Sequence, residues 1–188
     1  MAKRMILSNK EFYSKLKNLM IPIAFQQFML AAVSAGDAAM LGFVDQNAMA
    51  AVSLAGNIQF IEHLFLGALV CGGTILSAQY WGKGDKPMVG KLFGLILRYA
   101  LVISILFTGF AVLNPKGLMA VLTNDAKLIE IGGGYMRIAS GSYLLTGITQ
   151  CYLCIMKTTG QVKQSTFIST FALVLDTILN AVFIFGFH

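Results

Sequence analysis

Asp37, Glu62, Arg98, Arg137 and Asp176 are ionisable side chains set inside apolar stretches of this 188-residue chain. Even the lower insertion scales put Asp at the centre of a membrane-spanning helix at a cost of roughly 2.5 to 3.5 kcal/mol, so each is first a candidate for function. Arg98 and Arg137 lie within about two turns of the end of an apolar stretch, where a long aliphatic stem carries the charged head to the interface, and read better as anchors. Glu62 with His63, near the middle of the second stretch, reads equally well as a proton relay and as a polar pair satisfied by a neighbouring helix. Asp37 is short and has no such escape.

On a helix turning about 100° per residue, Gln26, Ser34 and Asp37 fall within about 80° of one another, a polar stripe that must face protein or water. The stretch STFISTFALVLDTILNAVFIFG repeats the arrangement with Ser165, Ser169, Asp176 and Asn180, the last two at i and i+4. Two such stripes imply a shared cavity lined by Gln26, Ser34 and Ser169. Asp37, Asp176 and Asn180 together suit a cation: carboxylate and amide oxygens coordinate a hard ion such as Na⁺, and two carboxylates held close raise each other's affinity for a proton. Na⁺, H⁺ or either fits this donor set. The plainer alternative is that both carboxylates are structural, hydrogen-bonded to hydroxyls of adjacent helices.

The elements that position these residues follow from composition. With 57% hydrophobic and 12% charged residues and a mean hydropathy of +0.74, too little polar surface remains to coat a water-soluble domain. Five stretches, near 19–42, 51–80, 92–113, 128–156 and 166–187, are each long enough to cross the hydrocarbon core at about 20 residues per span. Their Ala, Leu, Ile, Phe, Met and Gly content indicates helices, not the alternating strands of a barrel. The expected fold is an all-α integral membrane protein, a polytopic transmembrane helix bundle. Residues 1–17 form an amphipathic cytoplasmic N-terminus, with 6–20 suited to lie along the inner leaflet before Pro22 opens the first span.

The formal charge of +6 does not mark a nucleic-acid binder, because the basic residues sort by loop and form no patch with interleaved aromatics. Lys3, Arg4, Lys10, Lys15 and Lys17 precede the first span. Lys83, Lys86 and Lys91 lie between the second and third, and Lys157 and Lys163 between the fourth and fifth, whereas FVDQN (43–47) has no basic residue and the loop at 114–127 has two. That bias puts the N-terminus in the cytoplasm of a multi-pass plasma or bacterial inner membrane protein. The first span has no cleavage site after a short apolar core, and so is not a signal peptide. GKGDKP (82–87) and TTGQVKQ (158–164) are tight connections punctuated by Gly and Pro.

Cys71, Cys151 and Cys154 sit in apolar spans, and CYLC has no second pair or nearby His to complete a metal site. Neither GKGD nor GGGY has the spacing of a nucleotide-phosphate loop. The pattern points to no enzyme and no resident cofactor.

Taken together, MIPIAFQQ, GDAAMLGFVDQNAMAAVSLAGN, GTILSAQYWGKGD, YMRIASGSY and LVLDTILNAVFIFG resemble, in order and spacing, the N-terminal portion of the multidrug and toxic compound extrusion (MATE) transporters, over roughly residues 15–188. The resemblance implies a cation-coupled antiporter that uses a Na⁺ or H⁺ gradient to export amphiphilic, often cationic drugs or toxic compounds by alternating access. It implies two six-helix lobes around a central cavity, so that 18–188 would be an incomplete N-lobe of five spans, a fragment lacking its second lobe, from a natural truncation or a truncated gene model. Membrane lipid and small organic cations would be its partners. In that family the first-span Asp and a polar pair in the fifth span form the cation site, which carries over to Asp37, Asp176 and Asn180. Many members have an amide where this chain has Asp176, which leaves the preference between Na⁺ and H⁺ open. Two alternatives are a flippase of lipid-linked oligosaccharides from the same superfamily, whose anionic substrate would want Arg and Lys at the cavity, and a small non-transporting membrane protein.

Overall fold

The computed structural model describes residues 9–42 and 46–186, with the side chains of 9–12, 15, 37–42, 181 and 183–186 outside the description. Among the described residues the regular elements are helices: α1 (Asn9–Gly42), α2 (Gln46–Gly82), α3 (Lys86–Leu113), α4 (Pro115–Leu122), α5 (Ala126–Ala139), α6 (Gly141–Thr158) and α7 (Val162–Gly186). Leu16–Gly36 of α1, α2, α3 and Val162–Asn180 of α7 are each long and apolar enough to cross a membrane, and α5 with α6 adds a fifth span if the bent pair counts as one. The chain is an all-α, multi-pass membrane protein.

Three local features differ from the sequence reading. Pro22 lies inside α1 and does not open it, because the helix is continuous from Asn9. A proline removes one backbone donor, which an intramembrane helix tolerates when nearby groups satisfy the freed carbonyl. Residues 1–8 lie outside the described residues. The loop expected at 114–127 contains α4, opened by Pro115 at its first turn and by the Asn114 side chain, which accepts from Gly117 N at 3.0 Å. The span expected at 128–156 is broken into α5 and α6, bent by 48°. At the break the Ser140 hydroxyl donates to Arg137 O at 2.8 Å and the Ser142 hydroxyl to Ala139 O at 2.7 Å. Hydroxyls that bond back to the chain beside a Gly are an identifiable cause of a kink. The Ser140 carbonyl in turn accepts from the Thr108 hydroxyl of α3 at 3.2 Å.

The two tight connections hold as expected. Gly84 (φ 80°) and Gly160 (φ 84°) adopt the left-handed conformation that side chains resist, and Asp85 caps α3 by accepting from Met88 N at 3.1 Å.

The chain divides into two compact units, one of residues 38–160 and one of residues 1–37 with 161–188. In the first, α2 packs on α3, α5 and α6, and α3 packs on α6. Ala51, Ala55, Ile58, Glu62 and Leu66 make one buried stripe along α2, at the steps of three and four that bring residues onto one helix face. One apolar core joins Ala55, Ile58, Ala111, Met136 and Tyr143, and another joins Leu66, Ile96, Ala100 and Cys151. Small residues set the close approach: Gly73 lies against Ile96, and Gly147 against Ser104 and the Ala100 carbonyl.

In the second unit α1 and α7 lie side by side. Pro22 and Phe25 share a cleft of about 400 Å³ with Thr166 and Thr170. Val33 and Gly36 share another, of about 310 Å³, with Val174, Thr177 and Ile178. Both sets advance in chain order, so the two helices run in the same direction.

Candidate cation site and a buried carboxyl

On α7, Asn180 Nδ2 donates to Asp176 Oδ2 at 3.4 Å, the contact that spacing of four residues predicts. Asp176 is exposed and Asn180 half-buried. Asp37 follows Gly36 directly in α1, and Gly36 lines a cleft shared with Val174, Thr177 and Ile178 of α7; the Asp37 side chain lies outside the described residues. The backbone therefore brings the Asp37 position to the part of α7 that carries the Asp176–Asn180 pair.

The remaining polar positions of this unit sort differently. Gln26 and Ser165 are buried, Ser169 is half-buried and Ser34 is exposed. Gln26 Oε1 and the hydroxyls of Ser165, Thr166, Ser169 and Thr170 are shielded and have no hydrogen-bond partner among the described residues. Buried polar atoms are ordinarily paired, so this run of hydroxyls marks a polar segment of α7 well before Asp176. Thr166 and Thr170 escaped the sequence reading, although the repeat STFIST places 165 with 169 and 166 with 170 one turn apart.

In the larger unit Glu62 is 0% exposed. Ser104 of α3 donates to its Oε1 at 2.9 Å, and Oε2 is enclosed without a partner among the described residues. Successive helix residues point about 100° apart, and here that separates the pair: Glu62 faces the core while His63 is exposed. Tyr143 of α6, 2% exposed, is buried in the core that includes Ile58, one turn before Glu62 on α2. Neither Ser104 nor Tyr143 stood out in the sequence, where a lone hydroxyl in an apolar helix reads as filler. Arg98 and Arg137 are exposed. Cys151 and Cys154 are buried as free thiols, the second within 3.0 Å of the Thr74 hydroxyl.

Comparison with known proteins places this architecture. The chain is 24% identical over 170 residues to "Probable multidrug resistance protein NorM" of Halalkalibacterium halodurans, an alignment covering 89% of the chain and 37% of that protein. It is 23% identical over 173 residues to "Uncharacterized transporter YisQ" of Bacillus subtilis, covering 88% of the chain and 36% of that protein. The chain thus spans little more than a third of the length of these curated relatives. Among solved structures, a MOP superfamily transporter from Pyrococcus furiosus, described as having a binding pocket of reverse polarity that suggests a different function, superposes with a TM-score of 0.82 at 17% identity. That superposition covers 92% of the chain and 38% of the transporter, and shows a shared fold. The family model MatE matches residues 22–182, and on that match the chain belongs to the MatE family.

Proposed function

We propose that the chain supplies the cation site of an antiporter that exports amphiphilic, often cationic compounds by alternating access, driven by a Na⁺ or H⁺ gradient. The observation that carries this reading is the Asp176–Asn180 hydrogen bond on α7, on the stretch of that helix that shares a cleft with Gly36, the residue before Asp37. A carboxylate and an amide on one helix, faced by a second carboxylate on its neighbour, supply the oxygen ligands that a hard cation requires. The same carboxylates accept protons when the ion leaves, which is the chemistry of coupling. Gln26, Ser34 and Ser169 belong to the same two helices and extend the polar path along them. The lysines of the connection that follows α2 and of the turn before α7 support an N-terminus in the cytoplasm.

Alternating access requires two lobes that rock against each other around the site, so export calls for a second lobe beside these 188 residues. The test compares the chain alone with the full reading frame that encodes it, in cells loaded with a fluorescent organic cation. Under this proposal the full frame lowers accumulation in step with an imposed Na⁺ or H⁺ gradient, and the chain alone leaves it unchanged. Accumulation that ignores both gradients with the full frame would refute it.

A further inference from the structure

Helix α2 carries Glu62 within its buried stripe, between Ile58 and Leu66. One carboxyl oxygen accepts the Ser104 hydroxyl, and the other is enclosed with no partner among the described residues. Among the described residues, no positively charged group is bonded to either oxygen. Tyr143 of α6 is buried in the core that includes Ile58, and its phenol carries no positive charge. Cys151 lies further along α6, against Leu66, Ile96 and Ala100. Arg98 of α3, Tyr135 and Arg137 of α5 and His63 of α2 are all exposed.

An ionised carboxylate enclosed without a counter-charge is strongly unfavourable, and a single hydroxyl donor does not offset that cost. The uncharged acid removes it. With the proton on Oε2, Oε1 becomes the carbonyl oxygen that accepts the Ser104 hydroxyl, and the group is neutral in an apolar core. A metal ion is a poorer occupant, because hard cations collect several oxygen ligands while no group of three or more His, Cys, Asp or Glu side chains that could hold one lies among the described residues.

We propose that Glu62 is a proton-binding site, holding one exchangeable proton on Oε2 inside the packing of α2 against α3 and α6. Because Oε2 is enclosed, the proton leaves only when these helices separate enough to admit water, which ties its exchange to opening of the bundle. This inference stands independently of export.

The glutamates of the chain are Glu11, Glu62 and Glu130, which makes a direct measurement practical on protein reconstituted in lipid bilayers. With carboxyl-labelled glutamate in the Glu11→Gln, Glu130→Gln variant, solid-state NMR reads Glu62 alone without altering it. At neutral pH its resonance is expected at the position of an uncharged acid, and Ser104→Ala is expected to move it. A resonance at the position of an ionised carboxylate at neutral pH, or one unmoved by Ser104→Ala, would overturn the proposal.

Discussion

Gly147 of α6 stands directly against Ser104 of α3: a β-carbon built on Gly147 would come 2.5 Å from the Ser104 hydroxyl and 3.6 Å from the Ala100 carbonyl. The hydroxyl it would displace is the one that donates to Glu62. Gly147→Ala is therefore expected to lower stability by about 1–3 kcal/mol, the range for overpacking a tight contact. Gly67→Ala on α2, where nothing lies within 4 Å, is expected to be neutral or to stabilise by up to about 1 kcal/mol. Thermal unfolding of the two variants in detergent checks the contrast, and equal midpoints would contradict it.

Removing the hydroxyl itself should have a cost that depends on its partner. Ser104→Ala leaves a buried carboxyl oxygen without a donor, expected to cost about 1–3 kcal/mol. In a Glu62→Leu background the same substitution removes no such bond and should cost clearly less, a non-additivity that a double-mutant cycle on unfolding free energies reads directly. Equal costs in both backgrounds would show that Ser104 stabilises the bundle by some route other than Glu62.

The helices themselves were legible in the sequence because spans of this length and hydropathy have few alternatives. The Asp176–Asn180 contact was legible too, since residues four apart on a helix meet whatever surrounds them. What composition hides is the face each residue presents. A span that is apolar all round gives no periodicity to tell inside from outside, so Glu62 and His63 looked like one polar pair until packing sent one inward and the other outward. The break at Ser140 was hidden for a related reason: hydropathy averages over ASGS, and only the hydroxyl bonds to Arg137 O and Ala139 O reveal the bend. Pro22 misled in the opposite sense, because a residue that often opens helices in water sits within one here.

The turns between helices depend on two glycines with positive φ. Gly160, at φ 84°, follows the end of α6 in the position where a left-handed residue closes a helix, and Gly160→Ala is expected to cost about 1 kcal/mol or more for the steric penalty. Gly160→Asn should recover part of that loss. An alanine variant as stable as the parent in the same unfolding assay would mean the turn relaxes to another conformation.

Loop charge gives a topology that labelling can check. In a background with Cys71, Cys151 and Cys154 replaced by alanine, a single cysteine at Gln46 is expected to react with an impermeant thiol reagent added to intact cells, and one at Asp85 is not. Both positions are exposed, so access to the reagent is set by side of the membrane and not by burial. Reaction at the Asp85 position alone would invert the orientation.

The central claim is that the Asp37 position, with Asp176 and Asn180, binds the coupling cation, and Asp37→Asn in the full reading frame tests it most directly. The amide keeps the shape and much of the hydrogen bonding of the carboxylate while losing its charge, so insertion and folding should persist. Asp176→Asn is expected to be milder, since an amide at that position still supplies an oxygen ligand, and Asn180→Ala should weaken cation affinity. The measurement is efflux of a fluorescent organic cation from vesicles under an imposed Na⁺ or H⁺ gradient, normalised to folded protein. Collapse of gradient-driven efflux in well-folded Asp37→Asn is the predicted result, and efflux equal to that of the parent would contradict the account.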